Sequence, residues 1–155
     1  MIKNKKGFSL IELLVVVAII GVLAAVGVVA FGGFLGNAKT KSAEANHTNI
    51  VKWMSANFTK CSTGAASLTY KTNASGGTTN VACSQTAQQH LTNIINHLKF
   101  DGFNNPYNTA EQAAYASNST NPPDGRVHIN CSGNNCTVVT DIGGDSNKSA
   151  TVVKE

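Results

Sequence analysis

Lys5-Lys6-Gly7-Phe8-Ser9-Leu10-Ile11-Glu12-Leu13-Leu14-Val15-Val16 leads into an apolar run that contains no charged residue from Leu13 to Leu35. Val, Ile, Leu, Ala and Phe make up most of those 23 positions. At about 1.5 Å of helical rise per residue the run is long enough to cross a hydrocarbon core of about 30 Å. Beyond Asn37 the composition turns to Asn, Ser, Thr and Gly. The 155-residue chain therefore joins one apolar segment to one domain's worth of polar sequence.

Two ordinary readings of the start leave a residue unexplained. A secretory signal has a basic start, an apolar middle and a small-residue cut, for which Val28-Val29-Ala30 would serve. Its apolar part is shorter than this one. A plain membrane anchor fits the length. Neither accounts for Glu12, because a carboxylate costs about 2.5–3.5 kcal/mol near the bilayer centre and is kept there for a partner. A cut between Gly7 and Phe8 would place a new amine four residues from Glu12. That cation can pair with Glu12 of its own chain or of a neighbour, and only the second pairing encodes assembly.

These residues resemble the prepilin signature of type IV pilins and type II secretion pseudopilins: a basic leader ending in Gly7, the aromatic Phe8, then Ser9-Leu10-Ile11-Glu12 heading an apolar helix. The resemblance implies cleavage after Gly7 by a prepilin peptidase, N-methylation of Phe8, and docking of Glu12 against the Phe8 amine of an adjacent subunit. It implies a helical homo-oligomer built by an inner-membrane assembly machinery, with the lipid bilayer as the subunit's surroundings before assembly. Gly21 falls where such helices usually carry a glycine. Val29 departs from the pattern, since many pilins have a proline near that position. Gly27, Gly32, Gly33 and Gly36 offer either bending, at about 1 kcal/mol of helix propensity each, or close helix packing.

Charge sets orientation. Lys3, Lys5 and Lys6 hold the start in the cytoplasm, so the polar domain faces outward. Without those three, nine basic residues face eight acids. A basic patch for nucleic acid is thus not supported, and Lys39, Lys41, Lys52 and Lys60 read as a solvated helix face. Cys61, Cys83, Cys131 and Cys136 all lie in the outward domain, where an oxidising environment favours disulfides. Zinc is the minority reading, since the gap between Cys131 and Cys136 suits its spacings poorly. His128 reads as a surface residue on a strand.

Within the polar domain, Ala43, His47, Ile50, Met54 and Phe58 recur at helical steps with Trp53 beside them, extending the first helix from Phe8 to Thr59. Leu68–Lys71 and Thr78–Ala82 form a hairpin around Ser75-Gly76-Gly77. Ser84 caps an amphipathic helix through Ala87, Leu91, Ile94, Ile95 and Leu98, ended by Asp101-Gly102. A third helix is expected over Ala110–Ala116, with Thr109 and Gln112 as its capping box. Strands follow at Arg126–Cys131, Cys136–Ile142 and Thr151–Lys154. The loop Ser132-Gly133-Asn134-Asn135 would place Cys131 opposite Cys136, with Cα atoms about 4.5–5.5 Å apart. Cys61 with Cys83 is the preferred second pair among three possible connectivities.

The expected architecture is α+β: a long amino-terminal helix, half in the membrane and half embedded in the head, packed against a small carboxy-terminal antiparallel sheet as in pilins. Residues 1–7 are the leader, 8–36 the transmembrane or filament-core half, and 37–155 the periplasmic or extracellular head. No Gly-X-Ser-X-Gly, His-Glu-X-X-His or phosphate-cradling loop occurs, so the expected function is not enzymatic and needs no cofactor. Asp101, Asp124, Asp141 and Asp145 follow no calcium-loop spacing. A type IV pilus subunit serving adhesion, motility or DNA uptake leads; a secretion pseudopilin is the alternative.

Overall fold

A computed structural model of the chain describes residues 7–144 and 146–155. Helix α1, Leu10–Ser62, is followed by strands β1, Ser67–Lys71, and β2, Thr78–Ala82, and by helix α2, Ala87–Phe100. Strands β3, Ala114–Ala116, β4, Val127–Ser132, β5, Asn135–Asp141, and β6, Asn147–Val153, complete the chain. Contacts divide it into two units, one ending at Asn37 and one beginning at Ala38. The chain is thus an α+β protein with one long leading helix and small sheets.

In the first unit α1 is apolar all round. From Leu10 through Leu35 its large side chains are exposed, with Leu10 79% and Phe34 70% accessible. An apolar surface on every side belongs in lipid or between other helices, because water opposes it. The helix continues without a break through Gly27, Gly32, Gly33 and Gly36.

The second unit has a core. The α1 stripe of Ala43, His47, Ile50, Met54 and Phe58 is buried, as its period requires. Ile50, Met54 and Phe58 meet Ile94 and Leu98 of α2, Leu68 and Tyr70 of β1, and Ile129, Val138 and Val152 of the sheet. Each such apolar side chain contributes about 1.5–3 kcal/mol by leaving water. Trp53 lies at the rim, stacked on His97 with ring centroids 4.5 Å apart.

Helix α2 is capped by Thr86, not Ser84: Thr86 N donates to the Gln89 side chain at 2.8 Å, and Gln89 N to the Thr86 hydroxyl at 3.4 Å. The reciprocal pair satisfies two amides, which Ser84 has no partner to do. Asp101 closes the helix, and Gly102 at φ 88° turns the chain away.

The expected third helix does not form. Ala114–Ala116 instead pairs in parallel with β4, Ala114 opposite Val127. The Gln112 amide donates to the Ala114 carbonyl rather than closing a helical turn. The sheet order is β3-β4-β5-β6, with β4, β5 and β6 antiparallel. The β4–β5 turn is tighter than expected, since Ser132 and Asn135 already pair and Gly133 takes φ 57°. Strand β6 begins at Asn147, four residues before the expected Thr151.

Candidate processing and assembly site

Gly7, Phe8 and Ser9 precede the helix in non-helical backbone, and Phe8 is 82% exposed. The predicted cut at Gly7–Phe8 therefore falls on accessible chain ahead of the helix. Lys3, Lys5 and Lys6 lie outside the described residues.

One turn on, Ser9 and Glu12 hold each other. Ser9 N donates to Glu12 Oε2 at 2.8 Å, and Glu12 N donates to Ser9 Oγ at 3.3 Å. This is a capping box on the first turn of α1. The Ser-X-X-Glu pattern at Ser9 and Glu12 is its signal in the sequence. Glu12 thus has an intramolecular task as well as any intermolecular one. Its Oε1 makes no hydrogen bond among the described residues, so one oxygen stays available while the other caps the helix.

Among the described residues no neighbour explains the glycines of this segment. A Cβ built at Gly21, Gly27, Gly32, Gly33 or Gly36 would meet nothing within 4 Å. Since glycine weakens a helix by about 1 kcal/mol against Ala, their smallness serves something outside the chain or a bend the helix does not show here.

The cysteines all belong to the second unit. Cys61, in the last turn of α1, is bonded to Cys83 just after β2, with Cα atoms 5.3 Å apart. Cys131 is bonded to Cys136 across β4 and β5 with Cα atoms 4.0 Å apart. That is closer than expected, and the pair lies one step along the ladder from Ser132–Asn135, which closes the turn. The buried Lys154 donates from Nζ to the Cys83 carbonyl at 2.6 Å, tying the carboxy terminus to the same corner.

Two of the four acids considered for calcium are occupied otherwise. Asp101 pairs with Lys71, and Asp141 Oδ1 accepts from Gly143 N at 2.6 Å. Asp145 lies outside the described residues. Among the described residues no three His, Cys, Asp or Glu side chains gather to hold a metal ion.

Residues 2–28 match the prokaryotic N-terminal methylation motif. The chain carries the signature of type IV pilins and pseudopilins. No curated protein and no solved structure matches the chain. The signature marks structural subunits, is processed by prepilin peptidases, and goes with filament assembly in general. Joined to the long apolar helix, it fits a membrane-anchored precursor.

Proposed function

We propose that this chain is a structural subunit of a type IV pilus, cut between Gly7 and Phe8 by a prepilin peptidase and N-methylated on Phe8. The observation that carries the reading is the methylation signature at residues 2–28 heading a helix long and apolar enough to cross a membrane. Residues 1–7 are the leader, 8–36 the segment that passes from bilayer to filament core, and 37–155 the head. The precursor sits in the inner membrane with its head in the periplasm, and the polymer is extracellular. Copies meet head to tail in a contact that does not close, which generates an open helical filament.

Glu12 sets the register. Its Oε2 keeps the cap with Ser9, while Oε1 accepts from the Phe8 amine of the adjacent subunit. In a dry helix bundle such a charge-assisted bond is worth more than in water. The head acts as the filament's wall and carries no catalysis.

A secretion pseudopilin shares this start. The two disulfides favour the pilus, because a subunit exposed outside the cell gains from bracing of about 2–4 kcal/mol per bridge. Sheared surface filaments, analysed by mass spectrometry, test both readings. A chain beginning at methylated Phe8 in extracellular filaments is the expected result. The same cut confined to the envelope would move the reading to a pseudopilin. A chain that starts at Met1, or is cut near Ala30, would end both.

A further inference from the structure

The sheet of the head has a second face, and it carries a hollow. Val127, Ile129, Cys131, Cys136 and Val138 point into the core. The register therefore places two consecutive cross-strand pairs on the opposite face, His128 with Val139 and Asn130 with Thr137. The segment between β3 and β4 folds back over them. His128 Nδ1 lies 3.2 Å from the Ser119 carbonyl, and Asn147 Nδ2 of β6 donates to Asn121 Oδ1 at 3.1 Å. His128, expected at the surface, is only 8% exposed beneath this cover.

Between cover and sheet is a cavity of about 130 Å³. Sites for drug-sized ligands span about 300–1,000 Å³, while one water occupies about 30 Å³. The hollow thus has the volume of about four waters, enough to seat one edge of a pyranose ring whose remainder stands in solvent beside the exposed Asn130 and Thr137. Its chemistry is narrow as well. No Lys, Arg, Asp or Glu lines it. An anion would find no cation there, and a cation no carboxylate. The lining offers hydroxyls and side-chain amides, with the Val139 methyls as an apolar spot on the floor.

Those polar groups are available. Among the described residues, the side chains of Asn118, Thr120, Asn130 and Thr137 hydrogen-bond to nothing within the chain, whereas Ser119 Oγ is used by Asn121. The Ser119 carbonyl can only accept, so His128 Nδ1 carries a proton, and in the neutral ring Nε2 is then an acceptor. Donors and acceptors in a small uncharged hollow match a ring that presents hydroxyls around an apolar C–H face. We propose that this hollow binds one ring of a neutral sugar, free or at the end of a glycan. The site stands on the head alone and does not depend on the filament reading.

Saturation-transfer NMR on the full chain in lipid nanodiscs tests it, with glucose, galactose, mannose and N-acetylglucosamine against glucuronate. At least one neutral sugar should bind saturably, with a dissociation constant on the order of 1–10 mM for so few ligand atoms. Asn130→Ala with Thr137→Ala should weaken it about tenfold. Both positions are exposed, so the melting temperature should not move. An oligosaccharide ending in the same ring that binds at least as well upholds the glycan terminus as ligand; binding of the monosaccharide alone upholds the free sugar. No saturable signal up to about 100 mM, equal or tighter binding of glucuronate, or binding untouched by both substitutions would overturn the proposal.

Discussion

Ser9 and Glu12 exchange two hydrogen bonds across the first turn of α1, at 2.8 and 3.3 Å. The acid at the head of the apolar segment is therefore also a helix cap, and its two possible tasks separate by substitution. Glu12→Gln keeps a capping side chain but removes the charge, whereas Glu12→Ala removes both. If the charge pairs with a neighbour's amine, both variants should enter sheared filaments at least tenfold less than wild type while remaining membrane-inserted. Normal incorporation of Glu12→Gln would reduce Glu12 to a cap.

Gly32 and Gly36 lie one turn apart, and a Cβ built at either would meet nothing within 4 Å among the described residues. Gly32→Ala with Gly36→Ala should stabilise the isolated helix by about 1–2 kcal/mol in all, visible as higher helicity in detergent. The same change should lower filament yield, since added methyls stand where neighbouring helices approach or where the helix bends. A filament yield at or above wild type would show that the glycines serve neither end.

Tyr107 fastens the base of the head. Its hydroxyl donates to the Ile142 carbonyl at 2.8 Å and meets Thr40 Oγ1 of α1 at 3.1 Å, while Lys39 Nζ lies 5.8 Å from the ring centroid. The ring closes on Gly143, which has φ 95° and no space for a Cβ beside the tyrosine hydroxyl. Gly143→Ala should cost more than 2 kcal/mol through clash and backbone strain together. Tyr107→Phe should cost about 1–2 kcal/mol. Urea denaturation of the non-reduced chain measures both; a smaller loss for Gly143→Ala than for Tyr107→Phe would contradict the clasp.

Three histidines of the head are held below their ordinary pKa, each chiefly by burial. His47 faces Thr140 and the charge of Lys148. His90, fully buried, meets the Tyr70 hydroxyl at 2.7 Å and the charge of Lys154. His97 lies under Trp53, where Asp101 partly offsets its burial and Lys71 adds to it. A histidine with a depressed folded pKa binds more protons unfolded than folded, so its stability is complete above the unfolded value of about 6.5 and declines as pH falls below it. The melting temperature of the head should therefore drop between about pH 7.5 and 5. A flat profile across that window would sink the assignment of neutral, buried imidazoles.

Some of this was legible in the chain because the relevant forces are local. The stripe from Ala43 to Phe58 and the apolar positions of α2 up to Leu98 each repeat at the helical period, and burial follows period, while the run from Leu13 to Leu35 is read from its length and composition. The Ser9–Glu12 and Thr86–Gln89 boxes were equally legible as patterns of Ser/Thr followed three residues on by Glu/Gln. The same pattern misled at Thr109 and Gln112. There the alanines of Ala110–Ala116 favour a helix by propensity, yet Ala114–Ala116 gains more by joining the edge of β4, a partner that begins eleven residues beyond β3.

By itself, then, the sequence determined the two environments, the long helix and its buried stripe, because hydrophobic periodicity acts within a few turns of chain. It also determined the processing signature, which is a run of adjacent residues. Only the tertiary structure decided that β3 is a strand, that Tyr107 meets Thr40, and that His128 lies under the segment from Ser117 to Thr120. Each of these depends on groups distant in sequence whose meeting lowers the free energy only once the core has brought their elements together.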